Sequence, residues 1–223
     1  MKDLTLVIPA KYEEESLPKV LSELENYNLK KIIVLEKNDI QTINSIQSFD
    51  CEIIYQKNKG YGDALIQGIN SVNTKFFCIF NADGSFDPQE LSRMYEKSNV
   101  DNYDLVFGSR YGKDSGSDDD TIVTYIGNKI FTFLGKLLFG LPINDILYTY
   151  VLGKTEKLNS LRLLKKDFCF CVEMPIKAKK NNFKLISINS HERSRIAGKK
   201  KVNAFKDGSL ILICMLGQIF SKK

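Results

Sequence analysis

The stretch FFCIFNADGSFDPQEL, residues 76–91, runs from five apolar residues, Phe76 to Phe80, directly into Asn81, Ala82, Asp83, Gly84 and Ser85. A buried strand that ends this way is a rigid mount holding a carboxylate at a turn. Such a carboxylate can hold Mg2+ or Mn2+, hard cations that take oxygen ligands and bridge to phosphates. Asp87 has a different explanation. It precedes Pro88 at a first helical position, with Glu90 three residues on, which is the pattern of a helix N-cap. Asp83 stands outside that helix.

Other polar clusters also follow apolar runs. PAKYEEE, residues 9–15, places Tyr12, Glu13 and Glu14 after the first run, Glu36 closes the second, and Ser109 and Arg110 close a later one. Ligands of open parallel sheets bind at the carboxyl ends of strands, so these residues are expected to converge on one rim. NKGYGDALIQGI offers Gly60 and Gly62 before a helical pattern, a turn that lets a phosphate approach a helix N-terminus. The dinucleotide fingerprint and the GxxxxGK phosphate loop are both absent, which disfavours hydride transfer and P-loop hydrolysis. RSRIAGKKK, residues 193–201, holds five basic side chains and no acid, and reads as an anion site or as a solvated basic loop.

The elements that must position these groups alternate in type. Strand patterns in LTLVIPA, KKIIVLE, CEIIYQ, KFFCIFNA and YDLVFGS are separated by helical patterns in 13–27, 40–48, 60–72 and 87–98. That alternation predicts an α/β fold, a mostly parallel Rossmann-like sheet flanked by helices. GKDSGSDDD, residues 112–120, is polar and reads as a mobile loop. TIVTYIGNKIFTFLGKLLFG reads as a long helix, 155–164 as a short helix, KDFCFCV as a strand, EMPIKAKKNN as a helix and FKLISINS as a strand.

The chain has 223 residues and no internal linker, which predicts one domain over 1–223, divided into a donor half (1–110), an acceptor-side half (111–207) and an apolar tail (208–223). Net charge is +5, too mild to predict a nucleic-acid partner. Five cysteines form no CxxC pair, so a zinc site or disulfide framework is not expected; Cys169 and Cys171 are predicted to share one strand face. His191, the only histidine, reads as a loop residue. The apolar N-terminal run is too short for a leader, and the longest apolar run, Leu210 to Leu216, is far short of the roughly 20 residues of a span. These features predict a cytoplasmic protein or one attached to a membrane surface, with the tail buried in the core, in a homodimer or at a bilayer.

Taken in order, TLVIPAKYEEESLPKVLSEL, NKGYGDALIQGI, FNADGSFDPQEL, GSRY and ERSRIAGKKKVNAFKDG resemble family 2 glycosyltransferases, most closely the dolichol-phosphate mannose synthase group and its bacterial polyprenyl-phosphate relatives. The resemblance implies a GT-A fold, a nucleotide-diphosphate sugar donor (GDP- or UDP-linked) and Mg2+ or Mn2+. It places Pro9, Ala10, Tyr12, Glu14, Glu36, Gly60, Gly62, Asn81, Ala82, Asp83 and Arg110 on the nucleotide sugar. Asn81 and Asp83 stand where the family carries Asp-x-Asp, so Asp83 is the implied main metal ligand. Arg195 and Lys201 match the ends of the family's Arg-x-x-Gly-x-Ser-Lys motif and would grip phosphate, with Lys200 in place of the serine. Asp145 matches a family acid near the acceptor, and Glu173 another at the cleft, which would orient the basic loop or cap the helix that follows. The implied reaction is inverting transfer to a polyprenyl-phosphate-type lipid in cell-envelope glycan synthesis. The alternatives are transfer to a glycan hydroxyl with Asp145 as base, and a non-catalytic GT-A-like subunit that binds nucleotide sugar. A nucleotidylyltransferase would need a glycine-rich, Arg-bearing loop near its N-terminus, which PAKYEEE lacks.

Overall fold

A computed structural model describes residues 1–198 and 203–220. In chain order the elements are β1 (Leu4–Pro9), α1 (Leu17–Leu24), β2 (Lys30–Leu35), α2 (Ile40–Ser45), β3 (Glu52–Tyr55), α3 (Tyr61–Asn70), β4 (Phe76–Ile79), α4 (Glu90–Asn99) and β5 (Leu105–Ser109). Then come β6 (Gly116–Ser117), α5 (Ile122–Phe139), β7 (Val151–Lys154), α6 (Thr155–Ser160), α7 (Phe170–Lys180), β8 (Leu185–Asn189), β9 (His191–Glu192) and α8 (Ala204–Phe220).

Seven strands form one sheet in the order β3-β2-β1-β4-β7-β5-β8. β7 runs antiparallel to β4 and β5, and every other pairing in this sheet is parallel. β1, β4 and β5 are buried on both faces, which is why their residues read as unbroken apolar runs. One core holds Leu17, Leu21, Leu91 and Met94 from α1 and α4. The other holds Leu65 and Ile69 from α3, Phe170 and Ile176 from α7, and Met215 from α8.

Two expectations from the sequence fail here. KDFCFCV is not a strand: the side chain of Asp167 accepts the Cys169 N–H at 2.9 Å, and α7 starts at Phe170. α7 is buried through Phe170–Ile176, so its apolar run has no helical stripe to distinguish it from a buried strand. Cys169 and Cys171 therefore do not share a strand face. GKDSGSDDD is not a structureless loop either, because Gly116 and Ser117 pair in parallel with His191 and Glu192, which takes His191 into a strand.

Candidate active site

β4 delivers Asp83 to the carboxyl edge of the sheet. Beneath the turn lies an aromatic cluster: Phe86 stacks on Tyr150 at 4.4 Å between centroids and meets Phe80 and Tyr148 edge-on. Tyr150 Oη donates to the Asp87 carbonyl at 2.7 Å, tying the far end of the turn to β7's approach. Within the turn, Asp83 Oδ1 accepts the Ser85 N–H at 3.0 Å and Asn81 Nδ2 donates to Ser85 Oγ at 3.2 Å. Gly84 lies between them at φ +82°, and a Cβ there would meet Ile196 Cδ1 at 2.4 Å. Asp87 is not the N-cap expected: α4 starts at Glu90 behind Gln89, and Asp87 Oδ1 accepts the Gln89 N–H at 2.9 Å in the turn that leads into it. Glu90 does not complete a capping box; its Oε1 accepts the His191 N–H at 3.0 Å.

The basic segment is stitched onto this turn. The Ile196 N–H donates to the Asp83 carbonyl at 2.8 Å and the Arg193 N–H to the Ser85 carbonyl at 2.9 Å. The Arg193 side chain is structural: it donates to the Gly84 and Phe86 carbonyls and forms a two-pronged pair with Glu23 at 2.8 and 3.0 Å. Arg195 is the side chain turned to the site. Its Nη1 lies 3.9 Å from Asp83 Oδ2, while Nε and Nη2 donate to Asp119 at 3.2 and 2.7 Å. That pairing raises the Arg195 pKa further above its ordinary value. Lys201 lies outside the described residues.

Tyr12 heads a second turn on the same edge, at φ +53° and with its ring 60% exposed. The Tyr12 N–H donates to Asp39 Oδ2 at 2.7 Å, and Asp39 also caps α2. The Glu13 N–H donates to Thr42 Oγ1 at 2.9 Å. Glu14 carries a buried carboxylate oxygen, Oε2, with no hydrogen-bond partner among the described residues. Glu36 follows β2 and pairs with Lys11 Nζ at 2.7 Å. Pro9 ends β1, and the Ala10 N–H donates to the Val34 carbonyl at 2.9 Å, which sets the direction of the turn.

Five expected site residues have other duties. A Cβ on Gly60 (φ +119°) would sit 2.1 Å from the Lys166 carbonyl, and one on Gly62 would sit 2.2 Å from that of Lys165. These glycines admit the 165–167 backbone, a structural duty that by itself accounts for both of them. Glu173 braces that backbone, accepting the Leu164 and Lys165 N–H groups at 3.0 and 2.8 Å. Arg110 is taken up by acids of its own chain. It is buried, with Nε and Nη2 on Asp145 at 2.7 and 3.1 Å and Nη1 on Glu192 at 3.1 Å. Burial opposes its charge, but Asp145 and Glu192 outweigh burial and raise its pKa. Asp145 is fully buried with both oxygens engaged, so it is not presented as a base.

Two functional candidates escaped the sequence reading. Asp39 shapes the Tyr12 turn; its position just before Ile40, as an N-cap, was the signal. The second is the acidic triplet. Asp118 pairs with His191 at 3.0 Å, Asp119 with Arg195 at 2.7 Å, and Asp120 approaches Arg110 to 3.6 Å while accepting from Tyr111 Oη at 2.6 Å. Three consecutive acids before the Thr121 cap were visible, but their separate partners were not.

The oxygen donors on this turn suit a hard divalent cation. Asp83 Oδ1 is occupied by the Ser85 N–H, and Asn81 Nδ2 by the Ser85 hydroxyl, which turns Asp83 Oδ2 and Asn81 Oδ1 to other partners. No cluster of three His, Cys, Asp or Glu side chains able to hold a metal occurs among the described residues. One carboxylate and one amide oxygen fit a cation that completes its shell with water and substrate phosphates, as Mg2+ commonly does.

Residues 5–162 match the family model described as Glycosyl transferase family 2. Over 218 residues, 98% of both chains, the protein is 24% identical to an uncharacterized glycosyltransferase of Mycobacterium tuberculosis. It is also 24% identical over 246 residues, again 98% of both chains, to UDP-N-acetylglucosamine–dolichyl-phosphate N-acetylglucosaminyltransferase of Methanococcus voltae. Among solved structures it resembles glucosyl-3-phosphoglycerate synthase from M. tuberculosis in complex with Mn2+, UDP and glucosyl-3-phosphoglycerate, with a TM-score of 0.80 at 12% identity over 99% of this chain and 81% of that one. The same synthase with Mn2+, UDP-glucose and phosphoglyceric acid gives a TM-score of 0.80 at 12% identity, over 99% and 80% of the two chains. At that identity the likeness establishes the shared GT-A fold.

Proposed function

Because the chain belongs to glycosyl transferase family 2, we propose that it is an inverting transferase moving a sugar from a nucleotide-diphosphate donor to a polyprenyl-phosphate-type lipid. The observation that carries this reading is the convergence of Asp83 and Arg195, 3.9 Å apart at the carboxyl edge of the sheet. A diphosphate leaving group gathers negative charge as the sugar C1–O bond breaks, and charge stabilisation in the transition state is the largest lever such a site has. Arg195 supplies a fixed cation beside that position, and Lys201 belongs to the same basic segment. Asp83 and Asn81 would hold Mg2+ or Mn2+, which when bound neutralises the diphosphate. Tyr12, Glu14 and Glu36 line the edge where the nucleoside would lie.

What Asp145 does supports a reading of the acceptor. A hydroxyl acceptor needs a general base, and Asp145 is fully buried and held by Arg110. A phosphate acceptor is already anionic and needs no base, which supports the lipid-phosphate reading. The Methanococcus voltae relative, a dolichyl-phosphate N-acetylglucosaminyltransferase, supports the same class.

Turnover is the test. Purified chain, Mn2+ and a panel of UDP- and GDP-sugars are offered polyprenyl phosphate, phosphoglyceric acid or a free glycan. Transfer to the lipid phosphate is expected. Transfer only to hydroxyl acceptors overturns the acceptor assignment, and nucleotide binding without any transfer establishes the non-catalytic reading.

A further inference from the structure

α5 is inside out. Its buried positions are Asn128, Thr132 and Gly135, two polar and one without a side chain. Its outward positions Ile126, Ile130, Phe133 and Leu137 recur at helical spacing, and Phe133 is 61% exposed. Phe131, Leu134 and Phe139 pack partway against the core, so the helix is docked and its apolar stripe points outward. α8 packs beside α5 and α7 and does the same. It buries Ile211, Cys214 and Met215 and turns Ile213, Leu216 and Phe220 outward, the last 87% exposed. The tail is therefore two-sided, part in the core and part uncovered.

We infer that the outward faces of α5 and α8 together form a docking surface for an anionic lipid bilayer. Two adjacent helices with outward apolar stripes make a patch far beyond scattered surface residues, and such patches mark protein or membrane contacts. Charge selects the bilayer. α5 has no acid and carries Lys129 and Lys136, and α8 carries Lys206 against a single Asp207. The sequence adds Lys199, Lys200 and Lys201 before α8 and Lys222 and Lys223 after it. A two-fold dimer through this face would bring Lys129 and Lys136 of both copies to one interface, whereas anionic headgroups complement them. α5 is not a span: Thr121 caps it, and Thr132 Oγ1 accepts the Ile146 N–H at 3.2 Å, tying its inner face into the domain. It lies along an interface, as amphipathic helices do.

The surface also starts at the site. α5 begins at Ile122, two residues after Asp120 and three after Asp119, whose carboxylate grips Arg195. A phosphate at headgroup depth would thus be offered to the Asp83–Arg195 edge. Only this last step rests on the proposed function; docking itself does not.

The experiment is flotation of the full chain with vesicles of phosphatidylglycerol and phosphatidylcholine, or of phosphatidylcholine alone, at low and high salt. Phe133→Glu and Ile213→Glu are compared with the unmodified chain, and thermal melting checks that each is folded, as expected for outward positions. The unmodified chain is expected to float with the anionic vesicles at low salt and less at high salt. Each variant is expected to lower the partition coefficient about tenfold or more. Failure of the folded, unmodified chain to float at low salt overturns the proposal. So does a solution dimer that these substitutions break, because a second copy would then cover the face. Flotation without transfer to polyprenyl phosphate overturns the acceptor assignment and leaves the docking surface standing; transfer without flotation does the reverse.

Discussion

Asp119 grips Arg195 by the Nε–Nη2 edge, at 3.2 and 2.7 Å, which leaves Nη1 as the nitrogen turned to Asp83 Oδ2, 3.9 Å away. A guanidinium held along one edge has its remaining donors fixed in direction. Asp119 thus acts as a positioning residue for the cation that faces the proposed diphosphate site.

That relationship can be tested by removing charge while keeping shape. Asp119→Asn is expected to lower kcat/KM for the nucleotide sugar about tenfold, consistent with about 1.5 kcal/mol for a charge-assisted hydrogen bond. Arg195→Ala should cost more, about 10²–10³-fold. Salt should inhibit the unmodified enzyme more than Arg195→Ala. Equal kinetics for Asp119→Asn and the unmodified chain would remove Asp119 from the site.

Asp83→Ala is expected to abolish transfer and the Mn2+ dependence of nucleotide binding, read by calorimetry with and without the metal. Asp87→Ala should leave both in place and cost about 0.5–1.5 kcal/mol of stability, the usual net worth of the hydrogen bond it makes to the Gln89 N–H. Metal-dependent binding surviving in Asp83→Ala would refute the donor assignment.

Asp145→Ala should act on folding first. Breaking a buried pair leaves a charge without its partner, at a cost of about 3–5 kcal/mol. Glu192 and Asp120 still face Arg110, so the lower end, about 3 kcal/mol, is expected. Denaturant unfolding measures it. A variant with unchanged stability and transfer lost by about 10²–10⁴-fold would restore Asp145 as a base.

Gly60→Ala and Gly62→Ala should each lower stability by about 1–3 kcal/mol or more, because the added methyl meets backbone oxygen and not a flexible side chain. Below the melting temperature the KM for the donor should hold. A raised KM at unchanged stability would return these glycines to the nucleotide.

The parallel strands, the Asp83 turn, the turn Asp87 braces before α4 and the long α5 helix could be read from the sequence, because each depends on neighbours a few residues apart. Apolar runs without alternation announce strands covered on both faces, and Asp-Pro before a helical pattern announces the approach to a helix, here two residues ahead of its actual N-cap, Gln89. What only the tertiary structure decided is which polar groups meet. Arg110 and Asp145 are 35 residues apart and look like two independent site residues until β5 and the approach to β7 bring them into one buried pair. Asp119 and Arg195, 76 residues apart, meet because the short pairing of β6 with β9 brings the acidic triplet alongside the basic segment. Gly60 and Gly62 look like phosphate-loop glycines until the 165–167 backbone occupies the space above them. The outward direction of the α5 stripe was equally hidden: periodicity shows that a helix has an apolar face, but only packing shows whether that face is turned to the core.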